Sequence, residues 1–289
     1  MFNKPDFVSK NGMPLCRYTA ESGSSPTLGF VDRESETVTE IKSSTHSLDA
    51  ALAEDLDWSD LAEKKSDAVH DLDSIELLAP VDSPSNLLGV GLNYVGHAEE
   101  GGFDVPEEPV FFAKSPSSIT APDAPVKHHE EVTNLHYEGE FAFVIGKQAS
   151  DVSETEALDH VFGYMAANDV TARDIQLEDL DAANPWFRSK SMDTFTPLGP
   201  WVVQEAELNP GRASIETRLN DEIVQSSNTD DLVFDVPSVV SYISSFVTLQ
   251  PGDVVLTGTP AGVGEMSPGD AISVSVDGVG ALENSVIES

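Results

Sequence analysis

The sequence predicts a strand-rich α+β fold with a small N-terminal domain, residues 1–82, ahead of a larger domain, residues 83–289. Short runs rich in β-branched and aromatic residues recur along the chain, bounded by Gly, Pro, Asn, Asp and Ser. Only a few stretches carry helix signals, and they do not alternate with strands as a βαβ chain requires. The texture also changes after "LLAPVDSPSN", whose two prolines make residues 83–86 a linker end.

In chain order, "LCRYTA", "PTLGFVD" and "TVTEIK" read as short strands. "SLDAALAEDL" and "WSDLAEKKSDAV" read as short helices. "LLGVGLNY" is a buried strand opening into a loop, "HAEEGGFDVPEEP" a polar segment with a Gly-Gly hinge, and "VFFAK" another strand. Ser153 and Glu156 stand at capping-box spacing and predict a helix start in "SETEALDHV". "VFGYMAANDV" is a strand whose end delivers Asp169. "DVPSVVSYISSFVTL" is a helix with Pro237 in its first turn. "GDVVLTGTP" and "AISVSVDGVGALENSVIE" supply the last strands, with a hairpin at Asp277-Gly278.

The most informative stretch is "NLHYEGEFAFVIGK", residues 134–147. Strand alternation puts Glu138, Glu140, Ala142 and Val144 on one face and Tyr137, Phe141, Phe143 and Ile145 on the other. The carboxylates are then roughly 7 Å apart at the strand rise. Their repulsion is about 2 kcal/mol at an intermediate dielectric and about 0.6 kcal/mol in water. A solvated strand end tolerates that; a pocket needs a cation or a proton.

Composition narrows the function classes. The chain has 289 residues, 39% of them hydrophobic, with 51 acidic against 15 basic residues and a formal net charge of −36. Recurrent aromatic and β-branched residues exclude an acidic disordered chain. The absence of a Lys/Arg cluster argues against nucleic acid as a partner. A carboxylate-covered surface adapted to high salt, of halophilic type, fits best, because concentrated counterions screen self-repulsion. Cys16 is the sole cysteine, so a reduced cytoplasm is the expected location. "MFNKPDFVSKNG" lacks the apolar core of a signal peptide, and no segment approaches a membrane span.

Several residue groups are candidates for chemistry. Glu138, Glu140 and Asp169 offer three carboxylates suited to a hard divalent ion such as Mg²⁺ or Mn²⁺; the bland alternative is three surface acids. His97 and Glu100, three apart, share a face if their segment is helical, so Glu100 orients His97 as a base; otherwise His97 is an exposed polar residue. Lys190, in a lysine-poor chain, either stabilises developing negative charge or forms a structural ion pair. "LTGTPAGVG", residues 256–264, is no phosphate loop but offers backbone N–H groups to a small carboxylate; it is otherwise a strand-ending turn. "KHHEEV", residues 127–132, reads as a solvated loop rather than a metal cluster.

Taken together, "VGLNYVGHAEE", "PVFFAKSPSSI", "YEGEFAFVIGK", "VFGYMAANDVTARDIQ", "RSKSMDTFTPLGPW", "QSSNTDDLVF" and "LQPGDVVLTGTPAGVG" resemble the fumarylacetoacetate hydrolase family in content and order, from about residue 87 onward. The resemblance implies a mixed β-roll, usually a homodimer. It implies that Glu138, Glu140 and Asp169 bind Mg²⁺ or Mn²⁺, that His97, Glu100 and Lys190 are catalytic, and that Arg173, Gln176, Gly258 and Thr259 meet a small 2-oxo acid substrate. The intact E-G-E and lid pair look like acylpyruvate and related diketo-acid hydrolases. The expected activity is therefore catabolic hydrolysis of a C–C bond in a ketonic substance: a β-diketo acid (acylpyruvate, fumarylpyruvate or diketo-deoxy sugar acid) giving pyruvate and a carboxylic acid. Oxaloacetate decarboxylation or keto–enol isomerisation at the same metal site is the alternative. A non-catalytic 2-oxo acid binding protein is the minor one.

Overall fold

The computed structural model describes residues 13–21 and 23–289, so the expectation drawn from "MFNKPDFVSKNG" lies outside the described residues. The architecture is strand-rich α+β, as predicted. A 12-stranded mixed sheet runs, edge to edge, through Lys65–Asp71, Thr37–Ile41, Thr27–Asp32, Leu15–Thr19, Thr196–Gln204, Val161–Asn168, Gly139–Ile145, Val254–Leu256, Leu87–Gly91 and Val110–Ala113. Glu76–Leu78 joins it at Leu15–Thr19, and Ile119–Thr120 at Thr196–Gln204. A five-stranded sheet, Glu222–Asn228, Ser214–Leu219, Ala271–Val276, Gly280–Glu288 and Val126–His128, packs against its centre.

The Gly139–Ile145 strand explains the layering. All seven residues are buried, yet its two faces enter different cores. Phe141, Phe143 and Ile145 pack with Ile215, Val274 and Leu282 of the five-stranded sheet and with Val239, Val240 and Ile243 of helix Val236–Ser244. Ala142 and Val144 face Leu15, Leu28, Phe30 and helix Leu48–Ala53. Small residues on the second face let the N-terminal layer approach, while the large ones fill the gap between sheets. Leu15 pairs with Val202, so the N-terminal strands continue the same sheet. The division into domains 1–82 and 83–289 stands as a proposal about autonomous folding, with hydrogen bonds and apolar packing crossing the boundary.

Three local expectations need correction. The Ser153/Glu156 spacing does not open an α-helix: Ser153 Oγ donates to Glu156 Oε2 at 2.6 Å, and only a 3₁₀ turn, Ala157–His160, follows. The side chains bond each other rather than the backbone, and Val161 re-enters the sheet at once. In "WSDLAEKKSDAV" the helix stops at Glu63, and Lys65–Asp71 is an edge strand alternating exposed and half-buried. The start of "KHHEEV" is ordered as strand Val126–His128, parallel to Gly280–Glu288. The hairpin at Asp277-Gly278 joins strands paired through Val276 and Gly280, with Gly278 at φ +79°.

Candidate active site

Pairing in the main sheet assembles the acidic residues. Gly139 stands opposite Asn168, and Asp169 N–H donates to the Glu138 carbonyl at 2.8 Å, so the ends of two adjacent strands bring Glu138, Glu140 and Asp169 together. One carboxylate oxygen from each lies within 4.8 Å of the others, and all three residues are buried. The oxygens are thus closer than the strand rise alone suggests, because the side chains converge over the strand ends.

Cations surround this triangle unevenly. Lys190, ending helix Phe187–Lys190, donates to Glu138 Oε2 at 2.7 Å and Asp169 Oδ2 at 2.5 Å. Arg173 Nη2 donates to Glu138 Oε1 and its Nη1 to Gln176 Oε1. Lys114, just beyond strand Val110–Ala113, donates to Asp169 Oδ1 and, at 3.1 Å, to the Phe195 carbonyl. Glu140 has no cation partner among the described residues; its Oε2 accepts from Gly258 N–H at 2.6 Å. Burial, Asp169 and Glu138 push the Glu140 carboxyl well above the usual carboxylate range. Burial opposes ionisation of Glu138 too, but Lys190 and Arg173 outweigh it and hold that carboxyl far below the usual range. Three hard oxygen donors, one of them a carboxylate with no cation of its own, fit a divalent ion such as Mg²⁺ or Mn²⁺.

The predicted helical face of the lid is real. Helix Val95–Glu100 carries His97 and Glu100, with His97 Nδ1 3.7 Å from Glu100 Oε2, too long for a hydrogen bond. Glu100 also accepts from Gly262 N–H at 3.1 Å, tying the lid to the loop after Val254–Leu256. Asn93 fixes the lid's base: its Nδ2 donates to the Thr257 carbonyl at 2.7 Å and the Phe234 carbonyl at 3.0 Å. Burial lowers the His97 pKa from its ordinary 6.5, so the imidazole is neutral at pH 7.

His97, Glu100, Glu138, Glu140, Asp169, Arg173, Gln176, Lys190 and Thr259 all line one cavity of about 340 Å³. Gly258 does not line it; a Cβ there would lie 2.8 Å from the Asn93 Cβ, and φ is +103°, so glycine is needed for its N–H to reach Glu140. Thr259 Oγ1 is engaged, donating to the Gly139 carbonyl at 2.9 Å.

Sequence reasoning missed three residues here. Lys114 carried the same signal as Lys190, rarity, inside a motif already singled out. Gln225 accepts from Gly139 N–H at 3.0 Å and donates to Thr259 Oγ1 and the Pro260 carbonyl, both at 2.8 Å, bracing the backbone between the two glutamates. His136 lines the cavity and accepts from Arg173 Nε at 3.4 Å; burial first, and Arg173 second, lower its pKa to about 4.

The chain is similar to known proteins over most of its length. The profile of the family described as Fumarylacetoacetate (FAA) hydrolase C-terminal matches residues 86–287. The chain is 36% identical to the mitochondrial oxaloacetate tautomerase fahd2 of Xenopus laevis, over 95% of this chain and 90% of that one. It is 41% identical to the oxaloacetate tautomerase YisK of Bacillus subtilis, over 75% of each. Among solved structures, the fumarylacetoacetate hydrolase of psychrophilic Exiguobacterium antarcticum superposes with TM-score 0.84 at 35% identity, covering 96% of this chain and 100% of that one.

Proposed function

The chain belongs to the fumarylacetoacetate hydrolase family, and from that premise we propose that it catalyses metal-dependent keto–enol exchange at the carbon next to the 2-oxo group of a small 2-oxo acid. Oxaloacetate is the first substrate to assay, since relatives covering most of the chain are named as its tautomerases. The observation that carries the reading is the buried Glu138–Glu140–Asp169 triangle with Lys190 against it, sharing one cavity with a neutral His97.

Each residue then has a task. Glu138, Glu140 and Asp169 would hold Mg²⁺ or Mn²⁺, whose Lewis acidity, when it is bound, makes the proton next to the 2-oxo group more acidic. Lys190, kept protonated by Asp169 and Glu138 against burial, presents a fixed positive charge to the oxygen on which enolate charge develops. His97, neutral, carries the proton between that carbon and the enolate oxygen, so the C–H bond broken is matched by the O–H bond formed and the reverse holds in ketonisation. Glu100 holds His97 in the cavity through the lid's tie to Gly262. Arg173 and Gln176 orient the substrate's carboxylate, while Thr259 lines the same cavity with its hydroxyl held by Gly139 and Gln225.

Hydrolysis of a C–C bond in a β-diketo acid, the first expectation from sequence, becomes the second reading. The specific observation in its favour is the His97–Glu100 pair, an arrangement suited to activating water. One assay separates the readings: purified protein with Mg²⁺ is given enol-oxaloacetate and, separately, acetylpyruvate. Faster loss of the enol's ultraviolet absorbance, abolished by a chelator, with no carbon dioxide and no acetate, supports tautomerisation. Carbon dioxide release reassigns the enzyme as a decarboxylase, and acetate with pyruvate from acetylpyruvate as a hydrolase. No metal-dependent change with either compound overturns the proposal.

A further inference from the structure

The cavity has two chemically different ends, and enolisation uses only one. Beyond the carboxylates and the basic residues, the lining includes Leu92, Phe103, Phe112, Leu177, Leu180 and Trp186. The backbone is shaped to make room for two of these rings. A Cβ at Gly89 would lie 2.5 Å from Phe112 Cζ, and one at Gly91 would lie 2.8 Å from Trp186 Cζ3. Phe112 and Trp186 meet edge to face with centroids 5.6 Å apart, and Lys190 Nζ stands 5.2 Å over the Phe112 ring. The aromatic wall therefore begins where the charged end stops.

Charge is absent from that wall. The lining cations, Lys190 and Arg173, are both paired with Glu138, and Lys190 also with Asp169. Lys190 and Arg173 are thus committed to the charged end, and the described lining holds no further lysine or arginine for a second carboxylate among the rings. An anion there would lose hydration without a partner, whereas an aromatic or alkyl group would bury apolar surface against rings already in place.

We infer that the cavity takes a 2-oxo monocarboxylic acid bearing an aryl or bulky alkyl group on C3. Its carboxylate and 2-oxo oxygen lie at the charged end, and the C3 group lies between Phe112, Leu177 and Trp186. This rests on the enolisation reading. In the ketonisation of such an enol the O–H bond breaks and a C3–H bond forms. The C2–C3 π pair becomes the new C–H bond and the O–H pair closes the carbonyl, so no co-reactant is consumed.

Phenylpyruvate is the probe, with oxaloacetate and pyruvate as references, all on the full chain with Mg²⁺. Calorimetry is expected to give a Kd for phenylpyruvate at least tenfold below that for pyruvate; equal or weaker binding overturns the inference whatever turnover is seen. Ultraviolet decay of the enols is expected to give phenylpyruvate a kcat/KM at least tenfold above that of oxaloacetate. Acceleration of oxaloacetate alone overturns the inference and leaves the enolisation reading standing. Tight phenylpyruvate binding with neither enol accelerated supports the tail pocket while overturning the enolisation reading. Leu177→Arg, at a half-exposed position on the rim, is expected to lower the phenylpyruvate-to-oxaloacetate preference about tenfold. An unchanged preference in that variant and in Trp186→Leu places the tail elsewhere and overturns the inference.

Discussion

Carboxylates dominate two regions of this protein, and they behave oppositely in them. Over the surface, acidic residues outnumber basic ones to give the chain a net charge of −36, and most are exposed. At the site three of them are buried within a few ångströms of one another, and three cations, Lys114, Lys190 and Arg173, are drawn in around two. Water and counterions manage the first population; fixed protein charges manage the second, in a triangle that could hold a divalent ion. The same residue type is thus solvation on the surface and chemistry inside. Burial makes the difference.

The contrast is broken most severely at Glu140, the buried carboxylate without a cation. Glu140→Gln keeps the shape and removes the charge, and should weaken Mn²⁺ binding by at least about 10²-fold and abolish turnover. Titration calorimetry reads the first and enol decay the second. Unchanged Mn²⁺ affinity would remove Glu140 from the metal site. Lys190→Met should come next, lowering kcat about 10²- to 10³-fold with Mn²⁺ still bound. A variant as active as the parent would reduce Lys190 to a structural ion pair.

The lid gives a smaller, pH-dependent effect. Burial lowers the His97 pKa, so kcat/KM should hold down to its ordinary value of 6.5 and fall only below it. The sign for stability follows. The unfolded chain takes up the proton near 6.5 and the folded site only at lower pH, so this group's stabilisation is present above 6.5 and lost as pH falls through the folded value. A pH–rate profile breaking above 6.5 would contradict a buried neutral base. The surface supplies the mildest effect. Raising KCl shortens the Debye length from about 10 Å at 0.1 M to about 3 Å at 1 M, so the Tm should rise with salt while Mn²⁺ affinity changes much less. A Tm insensitive to salt would end the reading of a salt-adapted surface.

Legibility followed the range of the interactions. The Gly139–Ile145 strand was readable because alternation is a local property, and both of its faces are where period two puts them. The Ser153/Glu156 cap was misread because a local spacing is compatible with two hydrogen-bond partners, and the entry of Val161 into the sheet chose between them. Gly258 was expected at the substrate, but it serves Glu140, 118 residues away.

By itself the sequence determined that the chain is strand-rich, that its surface is acidic, and that Glu138, Glu140, Asp169, His97, Glu100 and Lys190 are the residues to bring together, because patterning and motif identity reside in neighbouring positions. The tertiary structure alone decided which carboxylate lacks a cation, that Lys114 and Gln225 brace the site, and that Phe112 and Trp186 line its cavity. Those properties arise between strands distant in the chain. The pairing of Lys114 with Asp169 spans 55 residues and that of Gln225 with Gly139 spans 86. Only the folded sheet makes them neighbours, and only burial there gives their charges and hydrogen bonds their strength.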